Sequence, residues 1–254
     1  MEWIIDRGQG QGMGHTVQGG ETSPCRFIRL GDISRCFGVE IMYIPAAFRE
    51  EDLPTIHEEM QRIQLATLVT MTPGGLMATH LPLMLDAAAG PYGTLYGHVA
   101  RLNVQWQESV AEVEGLAMFT ASDAYVSPSW YPSKQETGKV VPTWMYAAIH
   151  AYGPVRFIDD PEWLRGVVTR LTDKHEAGFA APWRVTDAPA DYVNLQLARI
   201  IGVEIPISRL EGKWKFDQRA TKPDRAGVMA GLEASGTSGN LEAAEVMRRI
   251  EEKR

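Results

Sequence analysis

Hydrophobic and polar positions change period along the chain, and the changes predict the elements. Over Glu50–Gln64, Leu53, Ile56, Met60 and Ile63 recur near helical spacing, predicting an amphipathic helix. Leu65–Met71 is a short β-branched apolar run, read as a buried strand. Thr72-Pro73-Gly74-Gly75 is turn chemistry, so Leu76–Asp86 is expected to return as its hairpin partner. After a Gly/Pro turn over Ala87–Tyr92, Gly93–Ala100 predicts a third strand. Asn103 is placed to cap a helix over Val104–Val113. Leu116–Ala121 and Ala124–Val126 read as strands, and Val140–Ile158 as one long bent strand or two, broken near Gly153-Pro154. Asp160-Pro161 opens a helix to about Glu176, with proline at the first helical position. A further helix is expected over Pro189–Ile200. Gly202–Leu210 and Lys213–Asp217 should close a hairpin around Glu211-Gly212, and Asn240–Arg254 should be a polar terminal helix.

Hairpin-linked strands with helices inserted late do not follow the strand–helix alternation of a parallel sheet. They predict one antiparallel barrel, since closure removes edge strands. Residues 1–41 read differently. Gly8–Gly20 is low-complexity, and Phe27–Phe37 fits either a short strand or a helix. The expected organisation is a flexible Gly-rich extension over 1–41, a barrel domain over 42–220 and a C-terminal tail and helix over 221–254. Met42 is the expected functional start.

Composition and charge narrow the classes. The chain has 254 residues and a formal net charge of −7, which opposes non-specific binding to nucleic acid or to anionic membranes. No apolar run approaches the roughly 20 residues that span a bilayer. The two cysteines, Cys25 and Cys36, both precede Met42, so the body has no disulfide framework and no cysteine metal site. A cytoplasmic location is expected, where a bond between the two is disfavoured.

Four constellations carry candidate chemistry. Thr79-His80-Leu81-Pro82 lies on the second strand, and Gly97–Asn103 (GHVARLN) runs from the third strand into a helix start. Free backbone N–H groups there favour an anion, and Arg101 adds a planar fork of donors. The plainer alternative pairs Arg101 with a surface carboxylate and leaves Asn103 as a cap. His80 and His98, flanked by small or apolar residues, suit hydrogen-bonded structural roles better than a metal pair. Ala124–His150 gathers Ser127, Ser129, Ser133 and Thr143 with Lys134, Lys139, Trp130, Tyr131, Trp144 and Tyr146, a set suited to a flat anionic ligand. It equally suits a proline-stiffened loop over the barrel end. Lys213-Trp214-Lys215 offers an indole between two ammonium groups, for stacking on a ring or for simple cross-strand packing. No G-x-S-x-G, H-E-x-x-H or P-loop occurs.

Together these segments resemble the PaiB family, FMN-binding negative transcriptional regulators with a split barrel. The resemblance opens at Met42-Tyr43-Ile44-Pro45 and runs through ATHLP (Ala78–Pro82), GHVARLN, Gln105-Trp106 and AYVSPSWYPSK. It continues through GKVVPTW, IDDPEWL (Ile158–Leu164), LTDKHE (Leu171–Glu176), APWRVTDAPADYV (Ala181–Val193) and VEIPISRLEGKWK (Val203–Lys215). It implies an antiparallel split β-barrel with peripheral helices that forms a homodimer, with FMN at the interface. It implies phosphate contacts from His98, Arg101 and Asn103, and a flavin bordered by Ser129, Lys134, Thr143 and Trp144. Trp214 and Lys215 would reach the partner's site, and His80 joins the cofactor-binding set. Met145 departs from the pattern where asparagine is frequent, which would remove an amide beside the ring. Leu102, Val104 and Asp123 depart as well.

The resemblance implies negative transcriptional regulation. The acidic balance and the lack of a helix-turn-helix pattern make direct DNA binding doubtful, so the effect is expected to be indirect. The alternatives are a flavin oxidoreductase using NAD(P)H and a haem-binding split barrel with His80 or His98 as axial ligand. No catalytic residue and no metal ligand is singled out.

Overall fold

The computed structural model describes residues 42–253. The expectations for residues 1–41, including Met42 as the start that follows them, the Phe27–Phe37 element and the two cysteines, concern or adjoin a segment outside the described residues. Ten strands form: β1 Arg49–Glu50, β2 Ala66–Thr72, β3 Gly75–Leu81, β4 Met84–Asp86, β5 Thr94–Ala100, β6 Gly115–Val126, β7 Thr143–Gly153, β8 Arg156–Ile158, β9 Ile200–Pro206 and β10 Arg209–Lys215. The helices are α1 Leu53–Arg62, α2 Gln105–Glu108, α3 Ser133–Thr137, α4 Pro161–Glu176, α5 Ala190–Leu197, α6 Lys222–Ser235 and α7 Ser238–Glu252.

All strand pairs are antiparallel. A six-stranded sheet has the order β1-β10-β7-β6-β2-β3, and a four-stranded sheet the order β4-β5-β9-β8. The two sheets close over one core as a split β-barrel. Leu68, Leu95, Phe119, Met145, Ile149, Ile201 and Ile205 lie at its centre with essentially no exposure.

The chain changes sheet where proline and glycine let it. The strand expected over 76–86 breaks at Pro82-Leu83, and Met84–Asp86 joins the small sheet. Pro82 lacks a donor for the ladder. Its carbonyl also passes so near Gly97 that a Cβ there would sit 2.7 Å from the oxygen. A Cβ on Gly153 would likewise lie 2.2 Å from the Pro206 carbonyl oxygen. The expected hairpin of 202–210 with 213–217 does not form. β9 pairs with β5 and β8, whereas β10 pairs with β7 and β1. The turn falls at Ile207-Ser208, and Gly212 is inside β10, where the Glu50 carbonyl of β1 approaches to 3.0 Å of a would-be Cβ.

The two strands expected over 116–126 are one strand with a bulge between Thr120 and Asp123. The helix expected over 104–113 is one turn, with Asn103 Oδ1 accepting from the Gln105 amide at 3.0 Å. α4 begins where expected, the Asp160 carboxylate accepting from the Trp163 amide at 2.7 Å. The terminal helix α7 is anchored by buried Ala243, Ala244 and Met247. It is preceded by α6, whose low amphipathicity hid it from the pattern and whose Val228 and Leu232 enter the same core.

Candidate functional site

Alternation along each strand sends one set of side chains into the core and the other to the opposite face of the six-stranded sheet. On that outer face, register aligns residues distant in sequence. His80, Thr67, Met118, His150 and Glu211 form one row across β3, β2, β6, β7 and β10. Ala78, Val69, Leu116, Tyr152 and Arg209 form the next. Beyond the bulge, Asp123 lies opposite Tyr146, which lies opposite Lys215, and Tyr125 lies opposite Trp144.

The face is only partly covered. Leu76 is 75% exposed, Trp144 52% and Tyr125 48%. Tyr125 and Trp144 meet edge to face with ring centroids 6.1 Å apart. Lys213 and Lys215 place their ammonium groups 5.2 and 5.8 Å from the centroid of Tyr146. Neither lysine is in an ion pair among the described residues. The His80 ring nitrogen Nδ1 is 2.8 Å from the Thr67 hydroxyl.

Where β7 ends and β10 begins, the face carries a polar knot. Arg209 lies over the Tyr152 ring at 3.7 Å and pairs with Glu211. The Tyr152 hydroxyl donates to Glu211 Oε2 at 3.4 Å and lies 3.3 Å from His150 Nδ1. Burial lowers the pKa of His150, with Glu211 opposing, and pushes the Tyr152 phenol up to about 12.

The candidate cofactor-binding residues do not all come together. Trp144, Lys215 and His80 share the outer face. Asn103 meets the edge strand β3 from the inner side, Nδ2 donating to the hydroxyl of Thr79, which lies opposite Leu68, at 2.8 Å. Arg101, at the end of β5, is engaged. Its Nε donates to the Ala198 carbonyl at 2.7 Å and its fork to Asp159 at 2.7 and 2.5 Å, holding that carboxyl below the usual range. This is the carboxylate pairing weighed as the plainer alternative. His98 lies opposite Gly202, where a Cβ would strike the Trp163 ring, so it faces the first turn of α4. Its Nδ1 is buried with no hydrogen-bond partner, and burial lowers its pKa.

Ser129 and Lys134 pair within the Ser127–Gly138 segment, Nζ donating to Oγ at 3.3 Å. Thr143 opens β7 opposite Val126. That segment is tied down from below. Tyr131 donates to Asp217, the Ser133 amide donates to Asp224 at 3.0 Å, and Trp130 packs against Gly231 of α6. Trp214 is 7% exposed and belongs to the core, so strand alternation gives the outer face to its neighbours Lys213 and Lys215. Met145 is likewise turned fully into the core, so its side chain does not border the outer face. Sequence reasoning had Lys213 and Glu211 only as neighbours of Trp214 in one motif, and missed Tyr125, His150 and Arg209 as site residues. Their only local signal was alternation, and their convergence is a matter of long-range register.

Comparison with known proteins gives consistent relatives. Residues 42–209 match the family described as "Putative FMN-binding domain". The uncharacterized protein AN0679 of Emericella nidulans is 32% identical, covering 82% of this chain and 96% of its own length. "Protease synthase and sporulation protein PAI 2" of Bacillus subtilis is 30% identical, covering 81% of this chain and 96% of its own. Among solved structures, the flavocytochrome Anf3 from Azotobacter vinelandii shares the fold with a TM-score of 0.53 at 12% identity, over 74% of this chain and 80% of that one.

Proposed function

The chain belongs to the PaiB family, whose domain is described as a "Putative FMN-binding domain", and from that premise we propose that it binds FMN on the outer face of the six-stranded sheet. The observation that carries the reading is the chemistry of that face. It offers flat aromatic surface at Tyr125 and Trp144 beside two lysines with no ion-pair partner, Lys213 and Lys215. A flat, amphipathic anion uses both features at once.

Trp144, Lys215 and His80 border the ring system, and Arg101 with Asn103 takes the phosphate at the sheet edge. The cofactor, when bound, supplies hydride or electron transfer, and the protein orients and tunes it. The occupied fork of Arg101 makes the phosphate step a competition with Asp159. A second copy of the chain covers the same face, burying Leu76 and the aromatic pair against its own, so the binding unit is a homodimer with FMN between the copies. Regulation of transcription follows indirectly from the flavin or from a protein partner. Support for that lies in the net charge of −7, which repels the phosphate backbone of DNA.

The test is an FMN titration followed by flavin fluorescence, with the mass of the complex read in parallel. Saturable quenching is expected, with a dimeric mass. Arg101→Ala should weaken binding by about tenfold or more, the scale of a charged hydrogen bond. Asp159→Asn, which frees the guanidinium, should tighten it. Absence of quenching at millimolar FMN would overturn the reading. Binding unmoved by both substitutions would place the phosphate elsewhere.

A further inference from the structure

A cleft of about 840 Å³ lies between α4 and the segment that leads into α5, and it uses no residue of the large sheet. Its floor is apolar, with Val185 and Val193 buried. One wall is the ring of Trp183, which is 47% exposed. The size is that of a small-molecule site, and the lining combines this apolar floor with four charged side chains, Arg165, Asp173, Glu176 and Arg184.

The polar groups settle what such a molecule must carry. The Trp183 amide donates to Glu176 Oε2 at 2.9 Å, which brings the following residue, Arg184, beside the last turn of α4. Asp173 precedes Glu176 by three residues, about 4.5 Å along the helix axis. Arg184 and Asp173 therefore present opposite charges at one end of the cleft, where the second carboxylate, Glu176, is already engaged by the Trp183 amide. Neither forms an ion pair, with the other or with any other described residue. The opposite end is closed by Arg165, whose fork donates to Asn194 Oδ1 at 2.5 Å, roughly 12 Å along the axis from Asp173. A simple anion drawn to Arg184 would face Asp173, and a simple cation drawn to Asp173 would face Arg184. A ligand with adjacent positive and negative groups satisfies both, and its apolar body then lies along Val185 and Val193 under Trp183.

We propose that this cleft binds a free α-amino acid with a large apolar side chain, its carboxylate on Arg184 and its ammonium on Asp173. The site stands independently of the flavin reading, because the two share no residue.

Calorimetric titration of the full chain tests it with three probes: L-phenylalanine, phenethylamine without the carboxylate, and 3-phenylpropionate without the ammonium. L-Phenylalanine should bind saturably, and each single-charge analogue about tenfold or more weaker, the worth of one charged hydrogen bond. Arg184→Gln should abolish the preference over phenethylamine while keeping that over 3-phenylpropionate. Asp173→Asn should do the reverse. FMN affinity should not change in either variant. No binding of L-phenylalanine at millimolar concentration would overturn the proposal, as would equal binding of the three probes. Loss of both preferences together in either variant would overturn the assignment of the two charges. Both side chains are exposed, and thermal melts of the variants establish that the fold is intact.

Discussion

The two faces of the six-stranded sheet are built from the same strands and differ in almost every other respect. Leu68, Phe119, Met145 and Ile149 on the inner face have essentially no exposure and belong to one apolar cluster. On the outer face, one residue along in each strand, stand Val69, Met118, Trp144, His150 and Lys215, a mixture of aromatic, aliphatic and charged groups left partly open. The inner face carries stability through apolar burial. The outer face leaves apolar area in water and, beside the paired Arg209 and Glu211, holds Lys213 and Lys215 outside any ion pair among the described residues, an arrangement that gains its return only when something covers it.

The sharpest way to break this division is to cut one side chain from each face. Phe119→Ala should cost about 3–5 kcal/mol, the transfer term plus the cavity left behind. Its midpoint in urea is the measure. A loss under about 1 kcal/mol would mean the inner face is not the stabilising one.

A second test concerns how the Ser127–Gly138 segment is held at the end of that sheet. A Cβ on Gly231 would come within 2.3 Å of the Trp130 ring. Gly231→Val should therefore cost about 1–3 kcal/mol through overpacking, despite the helix it sits in. Gly166→Ala on α4, where nothing lies within 4 Å, is the control and should stabilise by about 0.5–1 kcal/mol. Equal responses would show that Trp130 is free to move aside.

Much of this architecture is legible in the chain, and the illegible parts have a common cause. α4 is bounded by Asp160-Pro161, and the β2–β3 hairpin by Thr72–Gly75, because caps and turns are written locally. Which sheet a strand joins is not local. Nothing around Ile207-Ser208 says that β9 and β10 separate there, and Glu211-Gly212 looked like the better turn until β1 supplied another reason for the glycine. The direction of Trp214 is hidden for the same reason. Lys-Trp-Lys alternates on either reading, and only the neighbouring strands decide which side is core. Of the candidate site, Trp144, Lys215 and His80 stand in separate motifs along the chain, and register alone brings them to one face.

A third test asks whether charge beneath the segment works against the fold. Asp217 has φ of 56°, and burial raises its carboxyl pKa, with the Tyr131 hydroxyl bond opposing. A carboxyl whose folded pKa is raised favours the protonated state on folding. Its contribution is therefore fully present below the usual carboxylate value of 3.8 and is lost as pH rises through the raised one. Asp217→Asn keeps an acceptor for Tyr131, tolerates the left-handed backbone and cannot ionise. The variant should gain on the wild type as pH climbs from about 4 toward 7, by on the order of 1 kcal/mol. Urea midpoints across that range measure it. A constant difference would show that Asp217 titrates normally.

The smallest expected effect on stability is the most informative about the outer face. Trp144 is half exposed and touches Tyr125 at the end of the sheet, away from the core. Trp144→Ala should move the urea midpoint by no more than about 0.5 kcal/mol, the range of an ordinary surface substitution. The same variant should weaken FMN binding measurably, because one wall of the flat surface is gone. The two readouts separate the faces. A large loss of stability with normal FMN binding would make Trp144 a structural residue. Stability and FMN binding both unchanged would move the ring away from the aromatic pair, toward His80 and Thr67 at the other end of the face.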